Sequence, residues 1–254
     1  MGLLQEGEAP VYELLREGGE SRFLLTADHA GRLIPRALGD LGVPKAEMDR
    51  HIAWDIGIAG VTRRLSASLD ATAILQNYSR LVIDCNRNPS WASAFPKTSE
   101  ATRIPGNEGL DEAGKAARRA AIFDPYHGAI GRLVAARTRI VYVAMHSFTP
   151  VYLAAARPMH VAVLYNRNPR LSKILAGLLR EEAGLVVEEN APYRVSDETD
   201  YGVPVHAEKN KLDYLEIEIR QDLIAQEAGQ VEWAERLARL LPEALKALDV
   251  ESVA

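Results

Sequence analysis

The chain has little of several features that would assign it to other classes of protein. One cysteine in 254 residues cannot form an internal disulfide, which is typical of a protein from a reducing compartment. A net charge of −5 at pH 7 provides no polycationic surface, so we expect no nucleic-acid partner. The most apolar stretch, residues 140–156, contains His146, Ser147 and Pro150, so we expect no membrane span.

The N-terminal 22 residues carry several acids and lack the apolar core of a signal peptide. Together with the single cysteine, this leads us to expect a cytoplasmic protein. Hydrophobic residues make up 47% of the chain and charged residues 26%, which is ordinary for a globular domain. Neither repeats nor an obvious linker interrupt it. We therefore expect one domain over residues 1–254, with the oligomeric state open, a homo-oligomer included.

Short apolar runs alternate with amphipathic ones, a pattern that favours an α/β fold with a mostly parallel sheet. Several runs are apolar throughout, as expected for strands buried on both faces. The predicted strands are Phe23–Ala27, Thr72–Leu75, Leu81–Asp84, Ile140–Met145, Val161–Leu164, Val186–Glu188 and Leu215–Ile219.

The segments between these strands have the apolar spacing of helices. Two polar stretches, 88–109 and 189–211, are long enough to be functional loops. The predicted helices are a short one starting near Lys45, then Asp55–Leu69, Leu110–Arg137 with a break near Pro125, Leu171–Ala183 and Glu232–Leu248.

Two histidines follow predicted strands. The strand Phe23–Ala27 is followed by Asp28 and His29, and the strand Ile140–Met145 is followed by His146. In open α/β sheets, ligands bind at the carboxyl ends of the strands. Imidazole suits zinc, and a catalytic zinc takes three protein ligands and keeps one position open. We therefore interpret both histidines as metal ligands, the alternative being hydrogen-bonded histidines of the core.

A third ligand is expected in the run from His51 to Asp55. The two residues are four apart and share one face if the run is helical. Asp55 also suits the N-cap of the helix that follows, which is a structural alternative to metal binding. Spacing alone does not rank His51 against Asp55.

Polar residues surround the predicted strand at residues 81–84. Arg80 and Arg87 are interpreted as carboxylate-binding groups for an acidic substrate, because a guanidinium can hold a carboxylate with two hydrogen bonds. The alternative is a structural ion pair, for instance between Arg80 and Asp84. Cys85 is a weaker candidate, for the nucleophile of a Cys–His hydrolase, since a lone buried cysteine is usually inert.

The last predicted strand alternates apolar and charged residues, so Glu216 and Glu218 point to one face and Ile217 to the other. An edge strand with one solvated face accounts for this pattern. A second interpretation is that one of the two glutamates is the general base beside a metal site.

Taken together, these segments resemble the N-formylglutamate amidohydrolase family over nearly the whole chain. The resemblance is carried by His29 to Pro35, His51-Ile-Ala-Trp-Asp-Ile-Gly57, Tyr78-Ser-Arg-Leu-Val-Ile-Asp-Cys-Asn-Arg87, Ile104-Pro-Gly-Asn107, Pro125-Tyr-His127, His146-Ser-Phe-Thr-Pro150, Arg157-Pro-Met-His160 and Leu215 to Leu223.

The family is similar to the zinc carboxypeptidase and aspartoacylase hydrolases, which implies a three-layer α/β/α sandwich with a mixed, mostly parallel sheet of the phosphorylase/hydrolase-like type. The resemblance implies one zinc ion, held by His29, Asp55 and His146. The His-x-x-Glu motif of the relatives is broken here, because Arg32 stands in the place of the glutamate. The acid next to Trp54 is the replacement that the family suggests.

The same resemblance places the relatives' Asn-Arg pair, which binds a substrate carboxylate, on Asn86 and Arg87, and their catalytic glutamate on Glu218. It implies hydrolysis of an N-acyl amino acid, most simply N-formyl-L-glutamate to formate and glutamate. Arg157 is a further candidate for binding a carboxylate or stabilising the oxyanion. The alternatives are another amide or peptide substrate on the same fold, or a non-catalytic small-molecule binding protein.

Overall fold

A computed structural model describes residues 2–251 and contains a seven-stranded mixed sheet. Its strands are β1 (Tyr12–Leu15), β2 (Phe23–Ala27), β3 (Thr72–Gln76), β6 (Val141–Phe148), β9 (Val161–Leu164), β10 (Val187–Glu189) and β11 (Asp213–Arg220). Two small hairpins, β4 (Thr98–Ser99) with β5 (Thr102–Arg103) and β7 (Val151–Tyr152) with β8 (Ala155–Ala156), lie outside it.

The order of strands across the sheet is β1-β3-β2-β6-β11-β9-β10. The four central strands, β3, β2, β6 and β11, are parallel to their neighbours in this group. The antiparallel pairs are β1 with β3 and β9 with β11. The carboxyl ends of the four parallel strands consequently share one edge of the sheet, where ligands bind in folds of this kind.

Helices and packed loops cover both faces of the sheet, which confirms the predicted sandwich. The helices are α1 (Lys45–Met48), α2 (Ile58–Leu69), α3 (Glu112–Arg118), α4 (Asp124–Ala135), α5 (Arg170–Arg180) and α6 (Glu227–Glu251). One apolar cluster joins the sheet to α2, α5 and α6, and a second joins its other face to α4 and to the buried segment 78–85.

The helical prediction for Leu110–Arg137 is confirmed, but its break has an unexpected form. A π-helical turn, Arg119–Phe123, connects α3 to α4 without interrupting the helical path. Pro125 lies in the first turn of α4. Because the helical path is continuous, Pro125 removes one backbone hydrogen bond to the preceding turn, and the π-helical turn lies directly before α4.

The predicted strand Leu81–Asp84 is wrong, because this buried segment forms turns. Side chains supply the hydrogen bonds that a neighbouring strand would have made. The carbonyl groups of Leu81 and Val82 accept from Asn107 at 2.8 Å and from Arg118 at 2.9 Å. An apolar run alone could not distinguish this arrangement from a buried strand.

The interpretation of residues 215–219 as an edge strand is also wrong. β11 lies inside the sheet, between β6 and β9, and both glutamates on its polar face are buried. Two carboxyl groups therefore lie inside the protein, where a carboxylate is costly unless a partner compensates it. Among residues 2–251, no helix is both long and apolar enough to cross a membrane.

Candidate metal and active site

Polar residues at or near the carboxyl ends of the parallel strands lie close together at one edge of the sheet. His29 lies two residues after the end of β2. His146 was predicted to follow its strand but lies within β6, because that strand continues to Phe148, and Glu218 lies within β11. His146 and Glu218 are register partners on neighbouring strands, so their side chains stand next to each other on one face. All three residues are buried, with exposed fractions of 3%, 3% and 6%.

His29 is oriented by an acid behind it. Its Nε2 lies 2.8 Å from Oδ1 of Asp84, while its Nδ1 is buried without a hydrogen-bond partner. Gly31 allows the turn after His29 to pass against residue 77, since a Cβ on Gly31 would lie 2.1 Å from the carbonyl oxygen of Asn77. The nitrogen that remains open is the one available to a ligand.

Asp55 lies between the two histidines. Its Oδ2 is 2.9 Å from Nδ1 of His146 and accepts from the backbone N–H of Ser147 at 3.2 Å, and its Oδ1 is 3.6 Å from Nδ1 of His29. The alternative role as an N-cap is wrong, because α2 begins after Gly57 and no side chain caps it. Burial would raise the pKa of Asp55, but His29 and His146 reverse this and hold the pKa far below its ordinary value.

His29, Asp55 and His146 together offer a set of metal ligands. One ligand atom from each lies within 4.8 Å of the others. Nδ1 of His29 and Nε2 of His146 are buried polar atoms without partners, which is costly unless something binds them. Two imidazoles and a carboxylate form the donor set of several catalytic zinc sites, so the residues present fit the predicted metal.

The structure brings Asp55, and not His51, into this cluster. Nε2 of His51 instead lies 3.3 Å from Oε1 of Glu100, a residue of the turn between β4 and β5. Arg32, which replaces the glutamate of the relatives' motif, forms an ion pair with Asp49 and lies over the ring of Trp54, 5.0 Å from its centroid. The cluster therefore contains a carboxylate without using position 32.

Glu218 is the acid next to this cluster. Its Oε2 is buried and has no hydrogen-bond partner. Burial, with a smaller opposing effect from His146, raises the pKa of Glu218 to about 7. A carboxyl group with a pKa near neutrality can both accept and return a proton, as a general base requires.

Arg80 is held behind the cluster by two acids. Its Nε and Nη2 donate to Oδ2 of Asp84 at 3.1 and 2.7 Å, and its Nη1 is 3.7 Å from Oδ1 of Asp55. The ion pair between Arg80 and Asp84, considered as the alternative, is therefore present. Binding of a substrate by Arg80 remains a prediction, and its side chain is 25% exposed.

Asn86 and Arg87 contact the loop that precedes β11. The amide of Asn86 donates to Asp200 at 3.1 Å and accepts from the backbone N–H groups of Tyr201 and Gly202. Arg87 donates to the carbonyl oxygens of Asn86 and Thr199. Arg87 therefore has no carboxylate partner among residues 2–251, and its role in substrate binding remains a prediction.

Arg157 lies at the rim, between aromatic rings. Its guanidinium is 4.8 Å from the ring centroid of Tyr152 and 4.9 Å from that of Tyr193, and it donates to the hydroxyl of Tyr193 at 2.9 Å. Burial is the largest cause that raises the pKa of Tyr193, and the negative charge of Glu218 is the next. The ring therefore lies near the candidate base. The predicted catalytic role of Arg157 remains a prediction.

Sequence reasoning did not identify Asp28 or Tyr193 as residues of this region. Asp28 precedes His29, accepts from the hydroxyl of Tyr126 at 2.6 Å and keeps its Oδ2 buried without a partner. Its position next to a strand-end histidine was an available signal. Tyr193 lies in a polar loop, where no pattern distinguished it.

Cys85 is not a nucleophile in this arrangement. It is 1% exposed, and burial raises the pKa of its thiol well above the ordinary value. Its Sγ accepts from the amide of Gln76 at 3.4 Å. Because the thiolate is the reactive form, the alternative of a Cys–His hydrolase is wrong.

Comparisons with known proteins agree with this architecture. A structure of a gene product from Agrobacterium tumefaciens matches with 36% identity and a TM-score of 0.93, covering 97% of this chain and 99% of that one. An N-formylglutamate amidohydrolase from Ralstonia eutropha JMP134 has the same fold, with 20% identity, a TM-score of 0.68 and coverage of 94% and 98%.

No curated protein matches the chain. The family model described as N-formylglutamate amidohydrolase, however, matches residues 21–225, which include every residue of the metal cluster and Glu218. The chain therefore belongs to the N-formylglutamate amidohydrolase family.

Proposed function

We propose that the protein is a zinc-dependent amidohydrolase that cleaves the amide bond of an N-acyl amino acid. The observation that carries this proposal is the meeting of three ligand atoms within 4.8 Å, next to a glutamate with an unpartnered oxygen. His29, Asp55 and His146 hold the metal. Family membership supports amide hydrolysis as the class of reaction.

Zinc, when bound, supplies a Lewis acid that lowers the pKa of water and polarises an amide carbonyl. Glu218 takes a proton from the attacking water as its oxygen forms a bond to the carbonyl carbon. Glu218 then returns that proton to the amine nitrogen as the C–N bond breaks. The products are a carboxylic acid, formic acid for an N-formyl substrate, and a free amino acid.

Acidic residues behind the cluster position its ligands. Asp84 accepts from Nε2 of His29 and leaves Nδ1 open to the metal. Arg80 is held by the same carboxylate, so the charge of Asp84 is balanced. Such hydrogen bonds fix the orientation and tautomer of a metal-binding imidazole.

Arginines would hold the carboxylate of the substrate. Arg87 and Arg157 have no ion pair among the described residues, and Arg80 is partly exposed. A guanidinium binds a carboxylate with two parallel hydrogen bonds and so positions the amide. N-formyl-L-glutamate, cleaved to formate and glutamate, is the first substrate to test because the family carries its name.

A panel of N-formyl and N-acetyl amino acids, assayed with and without added zinc for released amine, tests this function. We expect turnover of N-formyl amino acids that is lost on chelation and restored by zinc. Zinc binding without turnover of any member would instead indicate a binding protein on a hydrolase fold. Turnover that persists in the metal-free protein would refute the metal dependence.

A further inference from the structure

An arginine at the rim of the metal cluster is held by aromatic rings and not by acids. The guanidinium of Arg157 lies 4.8 Å from the ring centroid of Tyr152, 4.9 Å from that of Tyr193 and 6.0 Å from that of Phe148. It donates to the hydroxyl of Tyr193 at 2.9 Å and makes no other side-chain hydrogen bond or ion pair within residues 2–251. Aromatic rings orient a guanidinium without neutralising its charge, so its other N–H groups stay open to an anion.

The strand β6 fixes the position of Arg157 relative to the cluster. Phe148 lies two residues beyond His146, on the same face of this strand. Two residues of a strand span about 6.5–7 Å, so the guanidinium beside Phe148 lies about one such step outward from the metal ligand. It is half-buried there, at the mouth of the site.

The other two arginines of the site approach the cluster from a different side. Arg80 and Arg87 flank Asp84, which bonds to Nε2 of His29 at 2.8 Å. Arg80 donates to Asp84 and so lies directly behind the cluster. The site therefore has two separate cationic positions, one near His29 and one at Arg157.

We infer that Arg157 selects an acidic side chain in the substrate, and that Tyr193 positions Arg157 for this role. The inference rests on the proposed function and names the amino acid that it leaves open. The substrate class is the N-acyl derivatives of dicarboxylic amino acids such as glutamate. The α-carboxylate would be held close to the metal cluster by Arg80 and Arg87, and the side-chain carboxylate would reach Arg157.

The chemistry of glutamate fits two separate cationic positions. Its α-carboxylate is one carbon atom from the scissile amide nitrogen, whereas its side-chain carboxylate lies beyond two further methylene groups. With the amide at the metal cluster, the second carboxylate therefore extends away from the first. A carboxylate at Arg157 would accept two parallel, charge-assisted hydrogen bonds, and a neutral amide of the same shape cannot replace them. A neutral side chain would leave the half-buried guanidinium without a partner, which costs binding.

The test compares kcat/KM for N-formyl-L-glutamate and N-formyl-L-glutamine on the zinc-loaded protein, because these substrates share a shape and differ in charge. We expect the wild type to prefer the glutamate derivative by about 30-fold, as for charged hydrogen bonds. Arg157→Met removes the charge and keeps most of the length, so the glutamate-to-glutamine ratio should fall to near one. An equal loss on both substrates would make Arg157 a group that stabilises the oxyanion, and would overturn the inference.

Tyr193→Phe tests the positioning role, since it keeps the ring and removes the hydroxyl that accepts from the guanidinium. The glutamate-to-glutamine ratio should fall by about five-fold, as for one hydrogen bond. In the Arg157→Met background the same change should leave the ratio where it is, because a residue that acts through another is not additive with it. A full further effect in the double variant would refute the positioning role.

Arg63→Met is the matched control. Arg63 is exposed on α2 and pairs with Glu13, so the substrate ratio of this variant should equal that of the wild type. Zinc content and thermal unfolding establish that each variant is folded and loaded. Equal cleavage of both substrates by the wild type, or an unchanged ratio in folded Arg157→Met, would overturn the selection and leave the hydrolase proposal standing.

If neither substrate is cleaved, calorimetric titration with L-glutamate and L-glutamine separates the two proposals. Tighter binding of glutamate, lost in Arg157→Met and without turnover, would support the carboxylate site and refute hydrolysis. Equal affinity for the two amino acids, or binding of neither, would overturn the role of Arg157.

Discussion

Two pairs of buried histidines in this molecule have nearly the same spacing but different surroundings. The rings of His29 and His146 are 5.1 Å apart, and those of His127 and His206 are 5.2 Å apart. Each ring of the first pair has a buried nitrogen without a partner. In the second pair, Nδ1 of His127 bonds to Nε2 of His206 at 3.0 Å, and Nε2 of His127 bonds to the carbonyl of Cys85 at 2.8 Å.

The pKa values of the two histidine pairs also differ. Burial lowers the pKa of His127 to about 3 and that of His206 to about 4, since no acid opposes it. For His146, burial acts in the same direction and is the largest single effect, but the hydrogen bond to Asp55 and the negative charges of Glu216, Asp55 and Glu218 together outweigh it and raise the pKa. Buried histidines alone therefore do not identify a site. Open nitrogens beside carboxylates do.

The largest effect on catalysis is expected from Glu218→Gln. The amide keeps the size of the side chain and removes its basicity, so kcat should fall by about two to four orders of magnitude while zinc remains bound. Glu216→Gln should lower kcat less, because two residues of strand separate it from the base. Steady-state kinetics and metal analysis on the same preparations measure both.

Two results would contradict this role for Glu218. Near-normal kcat in Glu218→Gln would remove it as the base. Loss of zinc from the same variant would make it a metal ligand and take that role from Asp55.

A smaller effect is expected from Arg87→Ala. Removing one partner of a buried charge pair costs about 2–5 kcal/mol, so KM for an N-formyl amino acid should rise at least about 30-fold. Arg87→Lys should restore little of the lost substrate binding, because an ammonium cannot make the two parallel hydrogen bonds of a planar guanidinium. Arg103→Ala, at an exposed arginine paired with Glu108, is the control. Normal KM values in both Arg87 variants would mean that the carboxylate is held elsewhere.

The smallest expected effect is on stability. It tests the pair of His127 and His206, whose rings are hydrogen-bonded to each other. The unfolded chain has histidines with a pKa of about 6.5, above the folded values of about 3 and about 4. Between these values the unfolded chain binds more protons, so the free energy of unfolding should fall as the pH falls from about 6.5 towards 4. Each histidine contributes about 1.4 kcal/mol per pH unit in this window.

His206→Gln removes one of the two titrating groups. Urea unfolding at several pH values should therefore give a shallower dependence on pH for this variant than for the wild type. Equal slopes would show that the pair does not titrate as a buried neutral unit.

Much of this architecture could be predicted from local pattern. The strand Val161–Leu164 was predicted with its observed bounds, and the runs ending near His29 and His146 are strands. His29 lies just beyond β2 and His146 lies two residues before the end of β6, so both are near the carboxyl ends that parallel strands bring together. The sequence left His51 and Asp55 open as ligands until the family resemblance favoured Asp55, and the structure places Asp55 in the cluster.

Other features depend on contacts between segments distant in sequence. The turns at residues 81–84 are stabilised by side chains from Asn107 and Arg118, which no pattern in the run itself encodes. The edge strand β1 was not predicted, and neither was the π-helical segment Val203–Glu208 inside the polar loop. The burial of Glu216 depends on the position of β11 within the sheet, and alternation along one strand cannot reveal that position.

Zinc stoichiometry is the most direct test of the central claim, that His29, His146 and Asp55 form a metal site. Metal-free protein is reloaded with zinc, dialysed and analysed for metal. We expect about one zinc per chain in the wild type and in His127→Ala, and none retained in His29→Ala or His146→Ala, all four proteins being folded by circular dichroism. Full zinc content in either ligand variant, or loss of zinc only from His127→Ala, would contradict the account.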